Sequence, residues 1–457
     1  MATLSGPLAT GKGPTPAPRW EVAETLPDGL RGAVEGLAIV GEDSVVAAGS
    51  VLNGFVYEGC RIACYGLQKG EFRWQRIRTE LNFSRIQAGP DGDVWLTGGA
   101  LDYHVSHAVV VMKMDGKTGR MRWTTRVPYS LSSGTHAIFA LSPKGDAYVA
   151  LANQHNGQPP NAVVARIRGS DGTVLWNTLI PLPGTYLPGP LGVTFSEGDV
   201  IFSAERTPGS HKPALVLTRL NDTDGKLLWT TDTADGVRGR LCDRTTAVTV
   251  KRSVGVFTID RAENGTPSLW IRSISHTTGK EEWSVPLRKQ NEKWEALERM
   301  WADDAGDVYM VSISASPGPI PEGWDLLPRK NRPHIEQVDK EVVVRKYRAT
   351  DGMRLWEKRL SNLAWNGPSL TWLRAVVSDH LGLLVLEKNP PGVLHSLSLD
   401  LRLDDGETFA PQARNRIAQD WTEPKRTEAF ALAADGTRVI GGNRGNYETG
   451  KWWLSAW

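Results

Sequence analysis

Three arginines, Arg85, Arg299 and Arg374, each stand eight residues ahead of the turn that follows the first strand of a repeat. A guanidinium group offers a planar fork of donors that matches a carboxylate or a phosphate, so a convergent set would suit a small anionic ligand. His136 and Arg240 fall close to the same register. The plainer reading pairs these arginines with Glu298, Asp303 or Asp379 as salt bridges between neighbouring sheets. A second group is aromatic: Trp294, Trp324, Trp365, Trp372 and Trp421 lie outside the repeat positions and cluster in the second half of the chain. Exposed indoles at that density make either a patch for a sugar, peptide or protein, or loops packed on themselves.

Other chemistry is thin. His104 and His107 are three apart and would point to opposite faces of a strand, so joint metal ligation needs a loop and a third ligand. The runs Asn221-Asp222-Thr223-Asp224-Gly225 and Asp404-Asp405-Gly406 resemble calcium loops but have no downstream bidentate glutamate, and turn chemistry accounts for them. There is no phosphate-cradling glycine loop, no GxSxG elbow and no paired-cysteine metal site. No catalytic residue, metal or cofactor is therefore expected. Cys60 and Cys64 sit four apart in a strand-like stretch, about 13 Å along it, beyond disulfide reach. Free thiols and the absence of a leader or membrane-spanning run at the N-terminus favour the cytoplasm, with signal-independent export as the alternative. Fifty-three basic residues against 51 acidic give a net charge of +2, so neither nucleic acid nor membrane insertion is expected.

The elements that would position these residues are legible from a repeat. A glycine is followed four residues later by tryptophan at Gly70–Trp74, Gly119–Trp123, Gly172–Trp176, Gly225–Trp229, Gly279–Trp283 and Gly352–Trp356. Each pair sits in a hairpin such as AVVVMKMDGKTGRMRWTTRV, where alternating strand residues enter and leave an Asx-Gly turn. A second hairpin precedes most of them, as in IFALSPKGDAYVALA, so two hairpins make a four-stranded sheet of about 50 residues, the size of a propeller blade. The repeat tryptophans, starting at Trp20, are spaced by 54, 49, 53, 53, 54 and 73, the last carrying an insertion. A seventh unit has Phe409 or Ala410 at the tryptophan position, and the C-terminus supplies three strands whose missing fourth matches Arg19-Trp20-Glu21-Val22.

These residues predict an all-β chain: a single eight-bladed β-propeller of four-stranded antiparallel blades over 19–457, after a flexible arm at 1–18. Residues 19–25 form the closing outer strand of the last blade, and 315–340 an insertion in the sixth. The repeat tryptophans are expected to fill the wedges between blades, each indole N–H finding a carbonyl on the next sheet. By strand alternation, the loops between second and third strands and the links between blades share one face, where sites usually lie. The arginines would then stand at the mouth of the central channel.

The pattern GDxYVxxx, a variable loop, then VVxRxxxxDGxxLW resembles bacterial β-propellers of PQQ-like or SBBP-type repeats. The resemblance runs from about Trp20 to Trp457. Such propellers include quinoprotein dehydrogenases and assembly scaffolds. The dehydrogenases are known for a disulfide between adjacent cysteines beside the cofactor, and no two cysteines here are adjacent. The expected function is a non-enzymatic binding or assembly module whose loop face holds a protein, peptide or glycan, alone or as a subunit of a larger assembly. The alternative is a propeller enzyme acting on a small anion at the channel mouth.

Overall fold

The structure is a computed structural model and describes residues 18–26, 30–54, 56–100, 108–128, 138–153, 161–182, 191–196, 198–206, 214–233, 247–250, 253–261, 267–286, 294–302, 307–317, 337–360, 372–377, 380–389, 393–402, 409–416, 425–433, 435, 437–444 and 451–456. They form antiparallel sheets, and among them no helix is long and apolar enough to cross a membrane. The chain divides into two compact units.

One unit gathers Pro16–Lys212, Val216–Thr230 and Asp420–Trp457. Its sheet I runs Gly36–Val40, Ser44–Asn53, Val56–Gly66, Phe72–Arg78, with Arg31–Gly32 also paired to Ser44–Asn53. Sheet II is Leu81–Ala88, Val94–Ala100, Ala108–Met114, Met121–Pro128. Sheet III is Ile138–Leu141, Ala147–Asn153, Asn161–Ile167, Val174–Pro181, and sheet IV is Leu191–Ser196, Asp199–Arg206, Ala214–Asn221, Leu227–Thr233. Sheet VIII joins Lys425–Leu432, Arg438–Arg444 and Lys451–Ala456 to the N-terminal strand Trp20–Glu24, with Trp20 opposite Ala456 and Glu24 opposite Trp452.

Middle strands in this unit are covered on both faces. Val45 and Ala47 pack toward sheet VIII while Val46 and Ala48 pack toward sheet II. That explains a near-continuous apolar run where a one-sided sheet would alternate. Outer strands do alternate: Val174–Pro181 buries Trp176 and Ile180 and exposes Val174, Asn177 and Leu179. Four apolar clusters follow one another, VIII with I, I with II, II with III, and III with IV.

The tryptophans staple these pairs. Trp20, Trp74, Trp123 and Trp176 donate their indole N–H to the carbonyls of Leu67, Gly116, Gly169 and Asp222 on the following sheet, at 2.8, 3.2, 3.1 and 2.7 Å. Each indole also lies flat over that sheet's turn glycine. A Cβ on Gly119, at φ +64°, would stand 2.5 Å from Trp74 Cε3. The Gly-x3-Trp spacing thus joins two requirements, since the glycine makes room for the preceding sheet's indole and the tryptophan covers the next sheet's glycine.

Sheet I departs from the four-stranded expectation because its innermost strand is broken at Ala33–Glu35, and Gly49, whose Cβ would lie 1.9 Å from the Ala33 carbonyl oxygen, accommodates the break. Sheet II has a milder bulge between Phe83 and Arg85, over Gly98.

The other unit is centred on Thr231–Gln419. Sheet V is Ala247–Val250, Ser253–Arg261, Pro267–Ser275, Glu281–Pro286, and sheet VI is Trp294–Ala302, Val308–Pro317, Gln337–Tyr347, Arg354–Leu360. Sheet VII is Trp372–Val377, His380–Asn389, Val393–Arg402, Phe409–Arg416. Trp283 repeats the staple, donating to Ala349 O at 2.9 Å beneath which Gly352 sits. The sixth-sheet hairpin continues to Pro317 opposite Gln337, so both ends of the expected 315–340 insertion are strand and the connection proper is 318–336.

Candidate functional site

Two ends of each sheet differ. The connections from third to fourth strand are uniform, spanning 67–71, 115–120, 168–173, 222–226, 276–280 and 348–353. Those from second to third strand vary from two residues (54–55) to nineteen (318–336), and antiparallel geometry puts them at the opposite end of the sheet.

The uniform end is where most chemistry-bearing side chains of the repeats are used. In sheet II Lys113, almost fully buried, pairs across the strand with Trp95 and lies 5.1 Å from its ring centroid. Its ammonium reaches Asp91 at 2.6 Å, Asp93 of the Gly-Asp turn at 3.4 Å and Gly169 O of sheet III at 3.0 Å. In sheet III Arg166 faces Tyr148 and Asp146, with a 2.6 Å ion pair, and reaches Asp222 O of sheet IV at 2.7 Å. The Tyr148 hydroxyl donates to the Asp222 carboxylate. Sheet VI repeats the set with Lys346, Tyr309 and Asp307, Lys346 and Asp307 lying 3.3 Å apart. Thus the Gly-Asp turn, the aromatic two residues later and the cation of the third strand form one unit that links sheets. Burial works against the Asp91 carboxylate, but the Lys113 contact holds its pKa below the usual range. Burial pushes the Tyr148 hydroxyl up, reinforced by Asp222. These groups are engaged with one another. The calcium-like run at 221–225 is a turn, with Asn221 Oδ1 accepting from Thr223 N at 2.8 Å and Asp224 paired to Lys226.

The three arginines fall on one rung. Arg85 pairs with Thr97, Arg299 with Val311 and Arg374 with Leu384, in each case the fourth pair counted from the turn at Ala88↔Val94, Ala302↔Val308 and Val377↔Leu381. The equivalence holds although the seventh sheet's turn is shorter. Bulges precede Arg85 and Arg299, at Phe83/Arg85 and Leu297/Arg299, and re-aim the strand just before the arginine. The Arg85 side chain is exposed. Trp294 and Trp372 open their strands, opposite Ala315 and Leu386. Trp324, Trp365 and Trp421 lie outside the described residues, as do His104, His107, His136, Arg240, Asp303, Asp379 and 403–408.

Sequence reasoning missed the hairpin tip of sheet I, where Val56 and Tyr57 are 63% and 44% exposed at the variable end. The Asn53-Gly54 turn followed by Phe55-Val56-Tyr57 was the available signal. It also missed Arg61, a buried cation held by Glu24 of the N-terminal strand and stacked 4.7 Å from the Trp452 ring.

Among the described residues no group of three or more His, Cys, Asp or Glu is placed to hold a metal. Cys60 and Cys64 are buried free thiols on one face of a strand. The donor set of a quinone site with a vicinal disulfide does not fit them.

The sequence profile described as outer membrane protein assembly factor BamB matches residues 110–316. No curated protein matches the chain. Among solved structures, the Dos1 propeller is similar at TM-score 0.51 and 13% identity, covering 96% of this chain and 94% of that one. BamB from Moraxella catarrhalis gives TM-score 0.46 at 12% identity, covering 95% and 100%. Quinohemoprotein alcohol dehydrogenase from Comamonas testosteroni gives 0.46 at 13%, covering 96% and 76%. With its stapled four-stranded sheets, the protein is an all-β chain that is similar, over residues 110–316, to the PQQ-like β-propeller repeats of that profile.

Proposed function

We propose that the protein is a non-enzymatic assembly module, an eight-bladed ring closed through the Trp20–Glu24 strand, that holds a protein partner on the face carrying the second-to-third connections. One observation carries this reading: in sheets II and III the buried cations of the uniform end join one sheet to the next, while sequence and length vary at the opposite end, the 318–336 connection most of all. Variable loops on a rigid frame are the usual place for recognition. The match of 110–316 to an assembly-factor profile supports a protein partner over a glycan. Trp294, Trp324, Trp365, Trp372 and Trp421 are the anchors, since indoles dominate interface energetics. Replacing Trp324, Trp365 and Trp421 together by Ala is expected to abolish partner capture with the melting temperature unchanged. Undiminished capture refutes the assignment.

A second reading rests on the common rung of Arg85, Arg299 and Arg374. Guanidiniums at this equivalent ladder position, Arg299 and Arg374 of one unit among them, would each offer a forked donor to a small anion. Arg299→Glu should then abolish binding of a di- or tricarboxylate probe, an effect the assembly reading does not predict.

A further inference from the structure

The outer rim shared by sheets I and II combines an open strand edge with a group of cations. Sheet I ends in the strand Phe72–Arg78, and among the described residues no strand lies beyond it. Its ladder to the third strand is regular from Trp74 to Arg78, opposite Cys64 to Cys60, with the one irregularity at Cys64/Tyr65 near the turn. Five consecutive residues therefore present an unbroken outer edge, about the length of an ordinary strand. Phe72 and Ile77 expose 53% and 43% of their surface on this strand.

The same rim carries an excess of positive charge. Arg76 lies across the sheet II turn, donating to Thr118 O at 3.0 Å and Gly119 O at 3.1 Å, which brings it beside Lys117 and Arg120. Arg76, Lys117 and Arg120 are exposed, and among the described residues none is within ion-pair distance of a carboxylate, the Asp43 carboxylate feeling Lys117 only as a longer-range charge. The acids nearby are occupied: Asp43 and Glu71 bind Arg73, each at 3.0 Å, and Asp115 binds Arg122 at 2.7 Å. The net charge of the whole chain is only +2, so this is a local surplus. Trp74 and Arg76 clamp the sheet II turn from above, fixing the three cations relative to the open edge.

We infer that this rim is a second interaction surface, distinct from the loop face, and that its occupant is an acidic, extended segment of a partner protein that adds as a strand to Phe72–Arg78. Main-chain hydrogen bonds to the edge supply affinity, alternate apolar side chains cover Phe72 and Ile77, and acidic residues meet Arg76, Lys117 and Arg120. An anionic lipid surface would use the cations but not the edge, and a self-protecting edge would bind nothing.

The test uses the whole chain and a fluorescent decapeptide of alternating glutamate and valine, beside a lysine–valine decapeptide and phosphatidylglycerol vesicles. Saturable binding of the glutamate–valine peptide alone is expected, weakened by salt, with amide exchange slowed in Phe72–Arg78. The exposed triple variant Arg76→Glu, Lys117→Glu, Arg120→Glu should lose affinity by about tenfold or more. The pair Phe72→Ser, Ile77→Ser should weaken binding with every charge intact, which checks the result should the triple variant fold poorly. Equal binding of both peptides, preference for the vesicles, protection elsewhere than Phe72–Arg78, or no binding at all would each overturn the inference.

Discussion

Alanine at Gly119 and alanine at Gly92 make a matched experiment within sheet II. Both glycines have positive φ, +64° and +78°. An added Cβ at Gly92 meets nothing within 4 Å, so the Gly92→Ala cost is the backbone term alone, about 1 kcal/mol for a left-handed alanine. At Gly119 the same Cβ meets Trp74 Cε3 at 2.5 Å, far inside ordinary contact, and the indole has to move by roughly 1 Å to relieve it. That movement lengthens the 3.2 Å bond to Gly116 O past hydrogen-bond range. Overpacking of about 1–3 kcal/mol then adds to the backbone term, giving about 2–4 kcal/mol for Gly119→Ala. Urea unfolding followed by tryptophan fluorescence measures both, compared at the first transition because a stack of sheets need not unfold in one step. Equal destabilisation by the two substitutions would show that the indole does not depend on the glycine, and would refute the account of the repeat.

Trp176→Phe should cost about 1 kcal/mol, because Asp222 O keeps its bond from Arg166, whereas Trp74→Phe leaves Gly116 O without a side-chain donor and should cost about 2 kcal/mol; thermal melts rank the pair. Burial opposes ionisation of Glu357, but Arg345 and Arg359 hold its pKa below the usual value, so its stabilisation is full above about pH 4.3 and is lost as pH falls through the lowered folded value. Glu357→Gln should therefore flatten the acid limb of the stability profile and, by stripping a carboxylate from buried Arg345, lower the neutral-pH unfolding free energy by about 3 kcal/mol. Burial pushes the Cys60 thiol up strongly and Cys64 up to about 11. In a Cys242→Ser background, Ellman's reagent should find no reactive thiol at pH 8 until urea is added, and then two.

The sheets were readable because their signals are local. Alternation, Asx-Gly turns and the Gly-x3-Trp spacing lie within hairpins, and the indole's need for a carbonyl forecast the staple seen at Trp20, Trp74, Trp123, Trp176 and Trp283. The N-terminal strand's place beside Lys451–Ala456 followed from counting strands. Arg31–Gly32 escaped notice because two residues have no period, and Glu24–Arg61 because it joins strands far apart in sequence. The arginine rung was legible by alignment to turns, yet the bulges before Arg85 and Arg299 were not, since a bulge depends on what the facing strand tolerates: Gly98 opposite the first of them leaves no mark beyond an ordinary glycine. The pairing of Lys113, Arg166 and Lys346 with Gly-Asp turn carboxylates was present in the repeat pattern, and its meaning emerged only once the third strand was placed beside the second.

The central claim is that a protein partner sits on the variable-connection end of the sheets. Cross-linking mass spectrometry on the complex isolated from native source tests it directly. The account predicts partner cross-links concentrated on connections such as 101–107, 154–160 and 318–336, and absent from the uniform turns at 168–173 and 348–353. Cross-links on those uniform turns instead, or a chain isolated without any stoichiometric protein, would contradict it.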